Sequence, residues 1–545
     1  MKQKKLFITL LFFTLQFPIE LWAEKLNLND TFIADGIKYM VTSTEPLEVQ
    51  VEGEYMNPAV GENWVGEVII PASVQDLEGY TYAVTGISNY AFNYCSKVTS
   101  VNISNSVKRI GYSAFAGCTN LTDINLPDGL TKIEDQTFSG CTSLASITIP
   151  NTVTSIGWMS FAYCRSLTKL VIPKSVTAID GHSNIGAFAG CSGLESIIVE
   201  EGNPVFDSRD NCNAIINQWN TIILGCKNTV FPKTVESIGR YSFWGCTGLT
   251  SLSIPSWISS IGGEAFKDCL GLTSITIPKT VTFLGDSPYS GNVFTGCRNL
   301  TSIIVEEGNP IYDSRDNCNA IIEKKSNKLI SGCQTTLIPN SVQIIESRSF
   351  YDITSLESIE IPKGVTEIKR EAFYNCNNLT SLSFPRTLIY IRDEAFSGCS
   401  SLTEIRIPLS VKAIGDNALS CENLISVTSE MSEPMDIGSY AFGYRGTRKH
   451  YIPFLYVPIG TKEKYMVAKG WNVFTNIEEI DMGISVSGDV TKDGHIDTKD
   501  LMEIVNAMMG KASDGIDINA ADLNGDGIIN IADIIQIVNL IFNNQ

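Results

Sequence analysis

From about residue 64 to residue 450 the chain repeats one arrangement of apolar and polar positions roughly every 23 residues. The stretch "CLGLTSITIPKTVTFLG", 269 to 285, shows it: Cys269, Leu272, Ile275 and Ile277 fall on one side, and Thr residues alternate with the two isoleucines. That alternation predicts a short strand with one buried face. Pro278 follows, as do Pro127, Pro150, Pro173, Pro255, Pro362, Pro385 and Pro408 in other copies. Proline fixes φ and removes a donor, so pairing stops and the chain turns. Val281 and Leu284 then resume the apolar role, and Ala-Phe-x-x-Cys, as in "AFAGC" at 114 to 118, closes the unit. No unit of this size can bury its apolar side chains alone. Copies must stack, each strand beside its counterpart and each Phe on the next.

The cysteines keep the beat. Cys95, Cys118, Cys141 and Cys164 are 23 apart, as are Cys246 and Cys269, and Cys376 and Cys399. Cys164 to Cys191 takes 27 residues and Cys269 to Cys297 takes 28, which places loops at one edge of those units. Two larger modules share nearly the same words, "VEEGNPVFDSRDNCNAII" at 199 to 216 and "VEEGNPIYDSRDNCNAII" at 305 to 322, and each is expected to add a coil. Asp207, Asp210 and Asn211 in the first module read as turn formers, with a metal site as the other reading.

This pattern resembles the leucine-rich repeats of BspA-like bacterial surface proteins, over about 64 to 450. It departs at Ile353, which stands in a cysteine slot, and at "NALSC", 417 to 421, where Leu419 replaces Phe. The resemblance implies a β-dominated repeat solenoid with short helical turns. "FIADGIKYMVTS" at 32 to 43 looks like the family's N-terminal cap, assigned to 24–63. "LYVPIGTKEKYMVAKGWNVFTNIEEI" at 455 to 480 looks like its closing unit, assigned to 451–482.

After a linker at 483–487 the pattern changes. "GDVTKDGHIDTKDL", 488 to 501, places Asp489, Thr491, Asp493, His495, Asp497 and Asp500 at positions 1, 3, 5, 7, 9 and 12 of a loop with Gly494 at 6. This is EF-hand spacing: calcium takes roughly six to eight oxygens, and the glycine permits the sharp turn. His495 would give its backbone carbonyl. Asp522, Asn524, Asp526, Ile528, Asn530 and Asp533 repeat the set 33 residues later around Gly527. Two calcium ions are expected, the first held more weakly because Thr491 replaces a carboxylate or amide. Each loop opens a helix: Leu501, Ile504, Val505 and Met508 share one face, and Ile534, Ile537, Val538 and Ile541 repeat it.

The duplication resembles the type I dockerin, a small all-α calcium-folded module, here 488–545, whose family partner is a cohesin. The resemblance gives loop positions 10 and 11 a part in partner choice, which here means Thr498 with Lys499 and Ile531 with Ala532. The two pairs differ, which puts symmetric two-way docking in doubt. Between 487 and 545 there are 9 Asp and 1 Glu against 3 Lys, a charge of −7, so metal binding would relieve repulsion as well as supply stability.

Composition narrows the function. The 545 residues are 43% hydrophobic and 18% charged, which is globular. A net charge of −19 and a pI near 4.7 argue against nucleic acid or an anionic membrane as partner. Residues 1–23 read as a secretory signal: a basic Met1 to Lys5, an apolar Leu6 to Phe17, and Ala23 before Glu24. No later apolar run reaches the roughly 18 residues of a membrane span, so no insertion is expected. Fifteen cysteines is an odd number at a repeat spacing, which reads as a ladder of buried thiols, with bridging between stacked neighbours as the alternative.

The expectation is an exported, extracellular or cell-surface, non-catalytic binding protein. The repeats would recognise a host or microbial surface macromolecule, and the C-terminal module would attach to a cohesin-like partner. The alternative is an accessory or carbohydrate-binding subunit of a polysaccharide-degrading, cellulosome-like assembly. Tyr112, Trp158, Trp244 and Tyr289 would then stack on glycans, whereas the plainer reading makes them tolerant turn positions. Catalysis has little to stand on. The three histidines, His182, His450 and His495, have no recognisable partners, and Glu200 with Glu201 recurs as Glu306 with Glu307 inside the duplicated module, which points to architecture.

Overall fold

Alternating Ile and Thr form a short strand at Ser274–Ile277, and the first strands of most coils pair in parallel with the next, although residues 147–149 form none. In the computed structural model, Lys169–Ile172 lies beside Ser196–Val199 with Leu170 opposite Ile197 and Ile172 opposite Val199. The structure describes residues 25–543 apart from 56, 61–63, 180–185, 286–291, 444–452, 481, 483–487, 492–495, 512–517 and 524–527. The signal sequence, the linker, Tyr289, His182, His450 and His495 therefore lie outside the described residues.

The chain forms two compact units, one up to Leu272 with Thr280–Phe294, the other Thr273–Lys279 with Thr295–Gln545. The first opens with an antiparallel meander, β1 (Thr31–Ala34), β2 (Ile37–Thr44) and β3 (Leu47–Val51). β3 pairs in parallel with Thr81–Ile87, so the meander covers the first coil and hands its edge to the repeats. Inside each coil the second strand shrinks to two residues, as at Lys132–Ile133 and Ser155–Ile156, with the isoleucine buried.

The Ala-Phe turn places one ring per coil in the core. Phe92, Phe115, Phe138, Phe161 and Phe188 stack at centroid spacings of 5.1, 5.7, 5.3 and 5.2 Å. Phe243, Phe266 and Phe294 form a second stack in the same unit, and Phe350, Phe373 and Phe396 form one in the other unit. In the regular Ala-Phe turns the residue before the cysteine has a left-handed backbone, φ +75 at both Gly117 and Gly140, which suits glycine. Asp268 and Asn375 fill the same slot at φ +55 and +57. The two irregular repeats keep the interior: Ile353 is 2% exposed and Leu419 fully buried.

All fifteen cysteines are free thiols, and all but half-buried Cys95 are buried. The ladder reading therefore holds over disulfide bridging. In the Ala-Phe turns a thiol reaches a carbonyl of the preceding coil: Cys118 Sγ donates to Phe92 O at 3.1 Å, Cys164 to Phe138 O at 3.3 Å, and Cys376 to Phe350 O at 3.2 Å, whereas Cys212 and Cys318 in the two modules donate to Ala214 O and Ala320 O, two residues on.

The two modules add antiparallel hairpins. In the first, Phe206–Asp207, Ala214–Asn217 and Thr221–Gly225 pair antiparallel in order, and the last runs parallel to Ser237–Ile238 of the next coil. The second repeats this with Tyr312–Asp313, Ile321–Glu323 and Lys328–Ser331. Asp207 and Asp313 each receive a forked guanidinium, from Arg209 and Arg315. Burial pushes the Asp207 carboxyl up, but the Arg209 bonds and charge outweigh it and hold it below its ordinary value. Asp210 and Asn211 adopt φ +58 and +51, so these residues make the turn.

The second unit ends in a parallel sheet of Glu404–Ile407, Ser426–Ser429, Phe454–Pro458 and Ile477–Ile480. Helix α1 (Lys462–Val467) covers its end. Buried Tyr465 donates its hydroxyl to Met431 O at 2.8 Å, and buried Trp471 donates Nε1 to Met435 O at 2.9 Å. These bonds satisfy the polar tips of two rings whose bodies close the apolar interior.

Candidate metal centre and docking face

Among the described residues after the sheet lie α2 (Thr498–Met508), α3 (Ile518–Ala521) and α4 (Ile531–Asn543). α2 and α4 pack together through Ile504 and Ile537, both fully buried, with Val490, Ala520 and Ala521. Leu501, Ile534 and Ile541 pack against that core as their spacing predicts. Met508, Val505 and Val538 do not: Met508 is 42% exposed, and half-buried Val505 and Val538 lie outside that core, on the flank of their helices.

Each loop feeds its helix through a carboxylate. Asp497 stands at the N-cap of α2, its Oδ1 accepting from Lys499 N at 2.6 Å, while Asp500 Oδ2 accepts from Asp497 N at 2.9 Å, a reciprocal capping box. Asp500 Oδ1 also accepts from both N and Oγ1 of Thr491, each at 2.9 Å. In the second loop Asn530 Oδ1 accepts from Ala532 N at 2.8 Å, and Asp533 Oδ2 accepts from Asn530 N at 2.9 Å. The Ile528 carbonyl accepts from Asn530 Nδ2 at 2.9 Å.

The burial of these acids is the telling feature. Asp489 is 4% exposed, and Asp500 and Asp533 are fully buried, in a segment that carries −7. Among the described residues, the partners of Asp500 are neutral N–H and O–H groups. A buried carboxylate without a counter-charge is costly, and a hard divalent cation is the counter-charge an all-oxygen loop fits. Among the described residues no three carboxylate, imidazole or thiol groups already converge. Asp493, His495, Asn524 and Asp526 lie outside them, whereas Asp489, Thr491, Asp497, Asp500, Asp522, Ile528, Asn530 and Asp533 are described.

The four residues expected to take part in partner choice stand at the helix starts. Thr498, Lys499 and Ile531 are exposed and Ala532 is half-buried. Ile531 begins a stripe that composition hides: Ile531, Ile535 and Phe542 are 69%, 58% and 72% exposed, with half-buried Val538 between. Thr498, Met502, Val505 and Met509 occupy the same places on α2, 33 residues earlier. The inward-facing pattern was legible in the sequence. This outward one could have been found by marking apolar residues left over after the core face was assigned.

A family model for the BspA type leucine-rich repeat region, in six copies, matches residues 67–213, 223–319 and 320–448. The chain belongs to the BspA-type leucine-rich repeat family. A model of the Dockerin type I domain matches 487–542. Dockerin type I domains bind calcium and cohesins, and the pairing of BspA-type repeats with such a module is that of a cell-surface protein that binds other proteins. Neither is an enzyme family. No helix among the described residues is long and apolar enough to cross a membrane.

Solved structures similar to this BspA-type chain include a leucine rich cell surface protein from Faecalibacterium prausnitzii. It is 24% identical, with 84% of this chain and 96% of that one covered, at a TM-score of 0.39. A leucine-rich repeat protein from Eubacterium ventriosum is 24% identical over 68% and 94%, at 0.46. The pneumococcal vaccine antigen PcpA is 18% identical over 84% and 100%, at 0.33. No curated protein matches the chain significantly.

The aromatic residues singled out on the repeats are mostly engaged. Trp158 is half-buried, and its backbone N–H is capped by Asp135 Oδ1 at 2.9 Å. Trp244 donates Nε1 to Asp268 at 3.0 Å and lies under Lys267. Tyr112 and Trp158 thus occupy a turn slot in which Asn89 and Asp135, one coil earlier, cap the next coil's backbone. Among the described residues other aromatics are more exposed, Tyr55 and Trp219 at 61% and 71% among them.

Proposed function

We propose that this chain is an exported, adhesin-like binding protein whose coils recognise a macromolecular ligand while its C-terminal module fastens it, in calcium, to a cohesin-like partner. Asp489, Thr491, Asp493, His495 through its carbonyl, Asp497 and Asp500 hold one ion. Asp522, Asn524, Asp526, Ile528 through its carbonyl, Asn530 and Asp533 hold the other. The ions neutralise the inward carboxylates, and α2 and α4 thereby keep their outer faces presented.

The observation that supports this reading most is the apolar stripe on α4. Monomeric soluble proteins seldom leave such a row uncovered, and a row that begins at a position implied in partner choice is placed for a protein interface. Ile531, Ile535, Val538 and Phe542 are more apolar than Thr498, Met502, Val505 and Met509, so α4 carries the larger share of contact. Titration of calcium into the full chain, followed by binding to a cohesin panel, tests the proposal. Two equivalents of bound calcium and calcium-dependent cohesin binding are expected; cohesin binding unchanged by chelator would contradict it.

A further inference from the structure

We propose that the cleft beside Tyr55 and Tyr90, where the N-terminal meander meets the first coil, binds a neutral oligosaccharide. The cleft encloses about 420 Å³ and is lined by Gln50, Glu52, Tyr55, Asn89, Tyr90 and Arg109 among others. Its volume lies in the range of small-ligand sites.

The rings form a connected row. Tyr55 meets Tyr90 edge to face at 5.5 Å and 75°, and Tyr90 meets Tyr112 at 5.2 Å and 82°. Tyr112 thereby backs Tyr90, while Tyr55 stays 61% exposed. The turn that carries Tyr55 is fixed at its base: Glu54 and Asn57 exchange two backbone bonds of 2.9 Å, and Gly53 N donates to Ser88 Oγ at 3.0 Å. A Cβ at Gly53 would come within 2.8 Å of the Ala91 backbone, so the turn sits flush on the first coil. An exposed ring on a fixed turn is a stacking surface that loses little freedom on binding.

Planar polar groups face that surface with capacity to spare. Gln50 Nε2 donates to Glu52 Oε2 at 2.9 Å, which leaves Gln50 Oε1 and Glu52 Oε1 as acceptors. Asn89 Oδ1 accepts from Tyr112 N and from Arg109 Nη2, at 2.9 and 3.3 Å, which leaves Asn89 Nδ2 as a donor. A sugar matches this combination, with a C–H face for the ring and hydroxyls that both give and accept. A peptide anchor matches it less well, because among the described residues no Val, Leu, Ile or Met side chain lines the cleft. Arg109 disfavours a cationic ligand, and Glu52 and Glu54 disfavour an anionic one.

The inference rests on the coils being the recognising part of the chain. Its test is calorimetric titration of the full chain, in calcium, with gluco-, manno- and xylo-oligosaccharides, and with choline and a tyrosine-binding proline-rich peptide as contrasts. Saturable binding of an oligosaccharide is expected, weakened about tenfold or more by Tyr55→Ala and by Tyr90→Ala and largely kept by Tyr55→Phe, with melting temperature unchanged. Oligosaccharide binding indifferent to Tyr55→Ala would overturn this cleft and leave the coils as a recognition surface. Binding of choline or the peptide in place of sugar, or no binding by any probe, would overturn the proposal.

Discussion

Cys141 Sγ donates to the carbonyl oxygen of Phe115, 3.2 Å away in the preceding coil. The thiol is fully buried, and its pKa is pushed from 9.0 to about 12 by desolvation. Cys191 is raised to about 12 for the same reason. A raised folded-state pKa contributes stability that is fully present below the unfolded value and is lost as pH climbs toward the folded one. Stability of the repeats should therefore decline between about pH 9 and pH 12. Urea melts across that range check this, and replacing Cys141 by Ala should remove part of the slope.

Thiol labelling gives a second prediction. In the native chain a neutral thiol reagent should reach half-buried Cys95 first and leave Cys118, Cys141 and Cys164 unlabelled until denaturant is added. Mass spectrometry of the labelled peptides reads this order.

The Phe stack supplies a third. Phe373 stacks between Phe350 and Phe396 at 4.8 and 4.9 Å and is fully buried. Phe373→Ala should destabilise the second unit by about 3–5 kcal/mol. Gly332 makes room for the same stack, since a Cβ there would come within 2.2 Å of the Phe350 ring. Gly332→Ala should displace Phe350 and lower the same unfolding transition, which calorimetry would resolve.

The repeat was legible because it is local: Leu-x-x-Ile-x-Ile, the proline and the Ala-Phe turn recur within 23 residues, and each copy corroborates the next. The duplicated acidic loops stand out in the sequence for the same reason, through their spacing and their 33-residue offset. The modules were less so. Their near-identical words predicted an added coil, but the antiparallel pairing of Ala214–Asn217 with Thr221–Gly225 depends on where the following coil offers an edge. Tyr55 escaped notice because it lies outside the repeat, and its meaning comes from Tyr90 and Asn89, more than 30 residues away. Trp158 attracted notice as an aromatic, yet its half-buried setting was set by neighbours in adjacent coils.

Calcium should act on the C-terminal module alone. Chelation should lower helical signal from α2 and α4 and leave the repeat transition where it was, because buried Asp500 is then left with neutral N–H and O–H partners. Asp500→Asn should weaken calcium binding by about tenfold or more. Circular dichroism and calorimetry of the full chain with and without chelator check both.

The most direct measurement is affinity capture from the envelope and secreted proteins of the producing organism. The full chain and its Ile531→Asp, Ile535→Asp double variant would serve as baits, each in calcium and in chelator, with partners identified by mass spectrometry. A cohesin-like partner should be held by the native chain in calcium, and lost both in chelator and with the variant. Capture of the same partner by the variant or in chelator would contradict it.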